Sequence, residues 1–133
     1  MNPHLFVYGT LVTSHGHPMG HRLRQEALLL SPATIAGRLY RVGWYPGLRP
    51  ADTSADLVHG ELYRLADPAK SLAWLDEYEG LTAGGTSVAS SDQYMRVERS
   101  VTQADGSTLT TWVYLFQLTL PSSAHISDGI WRG

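Results

Sequence analysis

Cysteine is absent from this chain of 133 residues, and its absence excludes several kinds of chemistry. Without thiols the protein has no disulfides, no cysteine metal ligands and no thiol nucleophile. Long apolar runs are also missing. The run at residues 5–8 is far shorter than the apolar core of a signal peptide, and no segment approaches the length of a membrane span. We therefore expect a cytoplasmic protein without a membrane partner.

Clustered positive charge is missing as well. Ten basic and twelve acidic side chains give a formal net charge of −2, and no basic block occurs. Because nucleic acids and anionic membranes select clustered positive surfaces, neither is expected as a partner. We also expect the chain to be a monomer or a weak homodimer.

The composition that remains is that of a globular protein. Apolar residues make up 43% of the chain and charged residues 17%. A chain of this length buries roughly two thirds of the surface that it exposes when unfolded, so it is stable without covalent links. We see no internal repeat and no linker, and we therefore predict a single domain over residues 1–133.

Alternating and periodic apolar positions predict five strands and two short helices. The strands are predicted at residues 5–8, 33–42, 57–65, 94–101 and 109–117, and the helices at residues 21–30 and 68–79. Asp67 is a suitable N-cap for the second helix, and Gly80 is a suitable residue to end it. This order of elements predicts an α+β fold with a largely closed or strongly curved sheet.

Three connecting features carry their own expectations. Ser31-Pro32 is typical of a helix end, and Gly37 suggests a bulge or a tight bend in its strand. Pro46-Gly47 fits a type II turn, beside the adjacent aromatics Trp44 and Tyr45, which either wall a pocket or cap the core. Residues 81–93 are small and polar, and a loop of that length is often a lid or a binding loop.

The first strand ends abruptly at Gly9-Thr10. A buried strand that ends in this way leaves backbone N–H groups pointing into a cavity, where they can hold a carboxylate or an oxyanion. An ordinary strand-to-loop turn remains the alternative. His15, His17 and His21 lie nearby, but a flexible loop without an adjacent carboxylate favours a solvated segment over a metal site.

Carboxylates are the remaining candidates for catalysis. Glu79 follows a helix at its C-terminal end, with Asp76 one turn earlier and Glu77 close by. The helix dipole and the like charges disfavour ionisation of Glu79, and an apolar site would raise its pKa toward neutrality, as a proton-transferring group requires. Glu61 and Glu98 are alternatives on strands, and a solvated helix end is the plain alternative for Glu79.

Several motifs together resemble those of the gamma-glutamylcyclotransferase-like superfamily. They are Val7-Tyr8-Gly9-Thr10-Leu11, Tyr45-Pro46-Gly47, His59-Gly60-Glu61-Leu62-Tyr63, Leu75-Asp76-Glu77-Tyr78-Glu79-Gly80, Tyr94-x-Arg96 and Trp112-x-Tyr114, in this order. The matches span nearly the whole chain. The resemblance implies a β-barrel of five to six mixed strands with short flanking helices, and a cavity at one end of the barrel.

The resemblance also implies an activity. Active members of that superfamily convert γ-glutamyl amines or peptides to 5-oxoproline and a free amine, an intramolecular acyl transfer of the lyase type that needs neither metal nor cofactor. Glu79 matches their general acid/base, and residues 8–11 match their substrate-binding loop. The residues that we expect to bind substrate are Tyr8, Gly9, Thr10, Leu11, Tyr45, Pro46, Gly47, Tyr94, Arg96 and Tyr114.

A non-catalytic protein that binds a small anionic metabolite in the same cavity is the second hypothesis. A site that only binds anions gains nothing from a carboxylate at Glu79, so the complete motif around Glu79 favours the enzyme. The sequence does not specify which amine leaves.

Overall fold

The computed structural model describes residues 1–51, 56–81 and 92–133. Its strands are β1 (His4–Val7), β2 (Ala27–Arg41), β3 (Pro46–Pro50), β4 (Leu57–Leu65), β5 (Tyr94–Gln103), β6 (Thr108–Phe116) and β7 (His125–Ile126). Its helices are α1 (Pro18–Glu26) and α2 (Pro68–Tyr78), and single 3-10 turns occur at Thr13–His15 and Ser122–Ala124.

Five of the strands close into a barrel. Their order is β2-β4-β1-β6-β5, and the barrel closes where β5 pairs with β2 at Ala33↔Gln103 and Thr34↔Thr102. The β1–β6 pair is parallel and the other pairs are antiparallel, so the sheet is mixed. β3 and β7 pair with the second half of β2. The result is a closed five-strand mixed barrel with two extra strands and two short helices, which confirms the predicted fold class.

Side chains are buried on both faces of the barrel wall. Along β6, Trp112, Tyr114 and Phe116 pack in one cluster with the apolar side chains of α2. Val113 and Leu115, which alternate with them, pack in a second cluster. β6 therefore reads as an almost continuous buried strand, and α2 covers one of its faces.

Helix α2 forms where its end signals predicted it. The Asp67 side chain accepts a hydrogen bond from the N–H of Lys70 at 3.3 Å, and Pro68 occupies the first helical position. At the other end, Gly80 adopts a φ of 80°, which is costly for any residue with a Cβ. These signals determine where Glu79 lies, because it is the last residue before that left-handed turn.

The prediction of a helix at residues 21–30 was partly wrong. α1 begins at Pro18, with the His17 ring accepting from the N–H of Met19 at 3.1 Å, and it ends at Glu26. From Ala27 the chain pairs with β4, so Ser31-Pro32 lies inside β2 rather than at a helix end. Pairing with β4 overrides the helical spacing of Leu23, Ala27 and Leu30, and the leucines at 28–30 are exposed.

Two other local predictions were corrected. Pro46-Gly47 does not form a type II turn but begins β3 and pairs with Arg41 and Tyr40. The chain reverses just before it, where the N–H of Val42 donates to the carbonyl of Tyr45 at 3.1 Å. The register of β2 against β4 shifts between Leu29 and Ser31, and the pairing of β2 with β3 from Gly37 onward is regular, so the predicted bulge is not at Gly37.

The predicted loop over residues 81–93 lies mostly outside the described residues, which resume at Asp92. Neither helix in the described ranges has the length and the apolar character that a bilayer crossing needs.

Candidate active site

A cavity of about 300 Å³ opens at one end of the barrel, beside the end of α2. β1, β3, α2, β5 and β6, or the residues next to them, each contribute to its wall. The lining residues are Phe6, Val7, Tyr8, Gly9, Thr10, Leu11, Trp44, Tyr45, Pro46, Tyr78, Glu79, Gly80, Gln93, Tyr94 and Tyr114. Nine of the predicted site residues are therefore brought together around one space.

The loop after β1, residues 9–12, turns so that the N–H of Val12 donates to the carbonyl of Gly9 at 3.1 Å. In the described part of the chain, the N–H groups of Gly9, Thr10 and Leu11 have no hydrogen-bond partner. A Cβ on Gly9 would lie 2.8 Å from Cγ of Pro46. The φ of Gly9 is not positive, so its backbone conformation does not require glycine. Glycine is required there because a larger residue would collide with Pro46. The loop thus offers free donors to a ligand.

Hydrogen bonds of tyrosine hydroxyls hold the rest of the cavity wall in place. Tyr8 donates to the backbone carbonyl of Tyr114 at 2.5 Å, Tyr94 donates to that of Pro46, and Tyr78 shares a hydrogen bond with the Thr10 hydroxyl at 2.7 Å. Burial raises the pKa of each of these phenols above its usual value, and that of Tyr114 likewise. These tyrosines consequently give the cavity a largely aromatic wall, and they are uncharged at physiological pH.

Among the described residues that line the cavity, Glu79 is the carboxylic acid. Glu79 caps the C-terminal end of α2. The residue as a whole is only partly buried because it borders the cavity. Its carboxyl is nevertheless surrounded by protein. Burial first, and the Asp76 carboxylate second, raise the pKa of Glu79 from 4.5 to about 8. Its carboxyl forms no hydrogen bond with any described residue. A carboxyl in this state exchanges protons readily near neutral pH.

Two predicted site residues, Gly47 and Arg96, do not line the cavity. Gly47 packs against the Phe116 ring, where an added Cβ would lie 2.8 Å from Cβ of Phe116. Arg96 lies behind the wall, where it donates from Nε and Nη2 to Asp76 at 2.8 and 3.2 Å. Tyr114 donates to the same carboxylate at 2.6 Å, so Asp76 joins Arg96 to the cavity wall.

The alternative carboxylates lie elsewhere. Glu61 accepts from the N–H and the hydroxyl of Thr13 at 2.8 and 3.0 Å, and Glu98 is exposed and accepts from Asn2 at 3.3 Å. Neither lines the cavity.

The three histidines of the 15–21 segment have separate roles. His15 donates to the carbonyl of Trp131, His17 caps α1, and His21 contacts Arg24. Within the described ranges, no three side chains of histidine, aspartate or glutamate are grouped as metal ligands.

Sequence reasoning missed several lining residues, notably Tyr78 and Gln93, and left the role of Trp44 open. Tyr78 lies inside the Asp76–Gly80 motif, so its position beside Glu79 was a usable signal. Trp44 lies on the edge of the cavity and is 66% exposed, which agrees with the first of the two interpretations for the Trp44-Tyr45 pair. Gln93 accepts from the Tyr45 hydroxyl at 2.8 Å, a contact between distant segments that no local pattern indicates.

Comparison with protein families decides the classification. The family model described as gamma-glutamyl cyclotransferase, AIG2-like, matches residues 5–133. The chain belongs to this family. Among curated proteins, none matches the chain by sequence.

Solved structures of the family have the same fold. YkqA from Bacillus subtilis is 24% identical with a TM-score of 0.70, and the match covers 98% of this chain but 40% of YkqA. An AIG2-like protein from Mus musculus is 22% identical with a TM-score of 0.68, covering 90% of this chain and 80% of the other. A gamma-glutamyl cyclotransferase is 20% identical with a TM-score of 0.62, covering 85% and 65%. The chain thus spans less than half the length of YkqA.

Proposed function

We propose that this protein is a γ-glutamyl cyclotransferase that converts a γ-glutamyl amine or peptide to 5-oxoproline and a free amine. Family membership supports a cyclotransferase-type activity. The observation that carries the proposal is the position of Glu79, a buried carboxyl with a raised pKa that borders the same cavity as the free N–H groups of residues 9–11.

In the proposed reaction the substrate supplies its own nucleophile. Glu79 takes a proton from the α-ammonium, and the α-nitrogen then forms a bond to the γ-carbonyl carbon to close the five-membered ring. The bond from that carbon to the leaving nitrogen breaks as Glu79 returns the proton to this nitrogen. The α-nitrogen loses a second proton once it is bonded to the carbonyl carbon, and Glu79 carries this proton to the departing amine in the same way. The two protons that the α-nitrogen loses are thereby balanced by the two that the leaving ammonium gains.

The backbone of residues 9–11 has the complementary role. Its N–H groups hold the α-carboxylate or the oxygen anion that develops on the γ-carbonyl, where preorganised donors stabilise the transition state. The aromatic wall holds the γ-glutamyl group in the folded conformation that brings the reacting atoms together.

Release of 5-oxoproline tests the proposal directly. Purified wild type is incubated with γ-glutamyl amines, γ-glutamyl dipeptides and an ε-(γ-glutamyl)lysine conjugate, in parallel with Glu79→Gln. Glutamine has nearly the same shape but transfers no proton, so kcat should fall about 100-fold or more. Glu77→Gln is the matched control, because it removes an exposed carboxylate two residues away and should retain the activity.

The pH profile distinguishes the role of Glu79 further. Because the free enzyme needs an ionised Glu79 to accept the proton, kcat/KM should rise with pH through about pH 8. Equal turnover by wild type and Glu79→Gln would contradict the assignment. Binding of a small carboxylate without turnover of any substrate would favour the non-catalytic binding protein instead.

A further inference from the structure

A buried ion pair joins α2 to the barrel wall behind the cavity. The Asp76 and Arg96 side chains are 9% and 4% exposed, and both oxygens of the carboxylate accept from the guanidinium. The guanidinium carbon also lies 4.4 Å from the centre of the Trp112 ring. A two-point contact of this kind fixes orientation as well as distance, so the last turns of α2 are held in one place relative to β5.

The same carboxylate reaches the cavity through two neighbours. Asp76 and Glu79 are three residues apart at the end of α2, so their side chains lie near each other on the same side of the chain. Asp76 Oδ1 also accepts from the Tyr114 hydroxyl at 2.6 Å, and the Tyr114 side chain lines the cavity. Arg96 and Tyr114 are opposite each other in the β5–β6 pairing. Two neighbouring strands therefore hold Asp76, which is three residues before Glu79 in the chain.

We propose that Asp76, held by Arg96 and Tyr114, is a positioning residue that fixes the Glu79 carboxyl at the cavity and places a negative charge beside it. This inference rests on the proposed function for its catalytic meaning, because it takes Glu79 as the acid/base. The effect of Asp76 on Glu79 is a property of the folded protein and is measurable without substrate.

Among the ionisable groups that interact with Glu79, Asp76 is the one that carries a charge. The other ionisable side chains that interact with it are tyrosines from four parts of the fold: Tyr8, Tyr78, Tyr94 and Tyr114. Burial raises the pKa of each, so they remain neutral. Within the described ranges, Asp76 is the charged group whose field raises the pKa of Glu79. Loss of that negative charge should make Glu79 easier to ionise.

The test is a carboxyl-carbon NMR titration of Glu79 in wild type and in three variants. Asp76→Asn keeps the shape and an acceptor oxygen for Arg96 but removes the charge, and should move the Glu79 midpoint down by about one pH unit. Tyr114→Phe removes the hydrogen bond that withdraws charge from Asp76, and should move the midpoint upward by a smaller amount. Glu77→Gln removes one exposed carboxylate from the same helix and should leave the midpoint unchanged.

Shifts of opposite sign in Asp76→Asn and Tyr114→Phe support the proposal, because a loosened helix would not produce both. An unchanged Glu79 midpoint in folded Asp76→Asn overturns it. If Asp76→Asn fails to fold, an unchanged midpoint in Tyr114→Phe overturns it instead. The rising limb of kcat/KM should move with the NMR midpoint. A midpoint that moves without the limb supports control by Asp76 but contradicts the proposed role of Glu79, so the two failures are distinguishable.

Discussion

At the scale of single residues, Glu79 combines two signals of which only one is local in sequence. The like charge of Asp76 is visible in the spacing of the motif, and in the folded protein it contributes to the raised pKa of Glu79. Burial, which is the larger cause of the raised pKa, comes from residues that are distant in the chain, such as Tyr8 and Tyr94. The sequence therefore indicates the residue on which the proposed mechanism depends, but not the environment that raises its pKa.

Protein stability should report the same environment. Because folding raises the pKa of Glu79 from 4.5 to about 8, the folded state binds this proton more tightly than the unfolded state does. The resulting stabilisation is complete below pH 4.5 and is lost as the pH rises through about 8. Between pH 5 and pH 9 the free energy of unfolding of wild type should therefore fall by about 2–4 kcal/mol relative to that of Glu79→Gln. Urea unfolding of both proteins at the two pH values measures this difference.

Glu77→Gln is the control for this stability measurement. Its carboxylate is exposed, so its difference from wild type should be the same at both pH values. A difference between Glu79→Gln and wild type that does not change with pH would show that the Glu79 carboxyl is not desolvated in the folded protein.

At the scale of elements, predictions succeed where the signal is contained within the element. The bounds of β4 are those predicted, and α2 begins and ends at its Asp67 and Gly80 signals. The helix predicted at residues 21–30 fails beyond Glu26, because Leu23, Ala27 and Leu30 have helical spacing but the chain from Ala27 pairs with β4. Pro46-Gly47 fails as a turn for a similar reason, since β2 pairs with it. Long-range strand pairing overrides local preference in both cases.

One contact between elements fixes the loop that the proposed mechanism uses. Glu61 on β4 accepts from both the N–H and the hydroxyl of Thr13, directly after the 9–12 loop. Glu61→Ala should release this end of the loop and misplace its donors. A pair of hydrogen bonds to a charged group is worth about 1.5–3 kcal/mol, so KM should rise about 10-fold or more, with a smaller effect on kcat.

Two further variants make the Glu61 experiment specific. Glu61→Gln keeps an acceptor oxygen for Thr13 and should restore part of the affinity. Glu98→Ala removes a strand glutamate outside the cavity and should leave KM unchanged. Turnover that falls without a change in KM would contradict this prediction and would mean that the loop donors hold the developing oxygen anion rather than the α-carboxylate.

At the scale of the whole molecule, the site exists because the barrel brings separate segments to one end. The parallel β1–β6 pair sets the 9–12 loop beside Tyr114, and α2 crosses the same region with Glu79 at its end. The order of the elements predicts the fold class, but it does not predict which segments lie next to one another at the cavity. Arg96 illustrates the limit: its place in the Tyr94-x-Arg96 motif suggested a cavity residue, whereas it connects α2 to β5 from behind the wall.

That connection should make an unusual contribution to stability. Arg96→Met leaves the buried Asp76 carboxylate without its cation, and the free energy of unfolding should fall by about 3–5 kcal/mol. Asp76→Asn alone should also lower stability, because the guanidinium then loses its anion. Asp76→Asn added to Arg96→Met removes the remaining charge and should recover about half of the loss or more. Urea unfolding of the four proteins measures this coupling. Additive losses in the double variant would mean that the two charges do not interact, and α2 would then be held to the barrel by apolar packing alone.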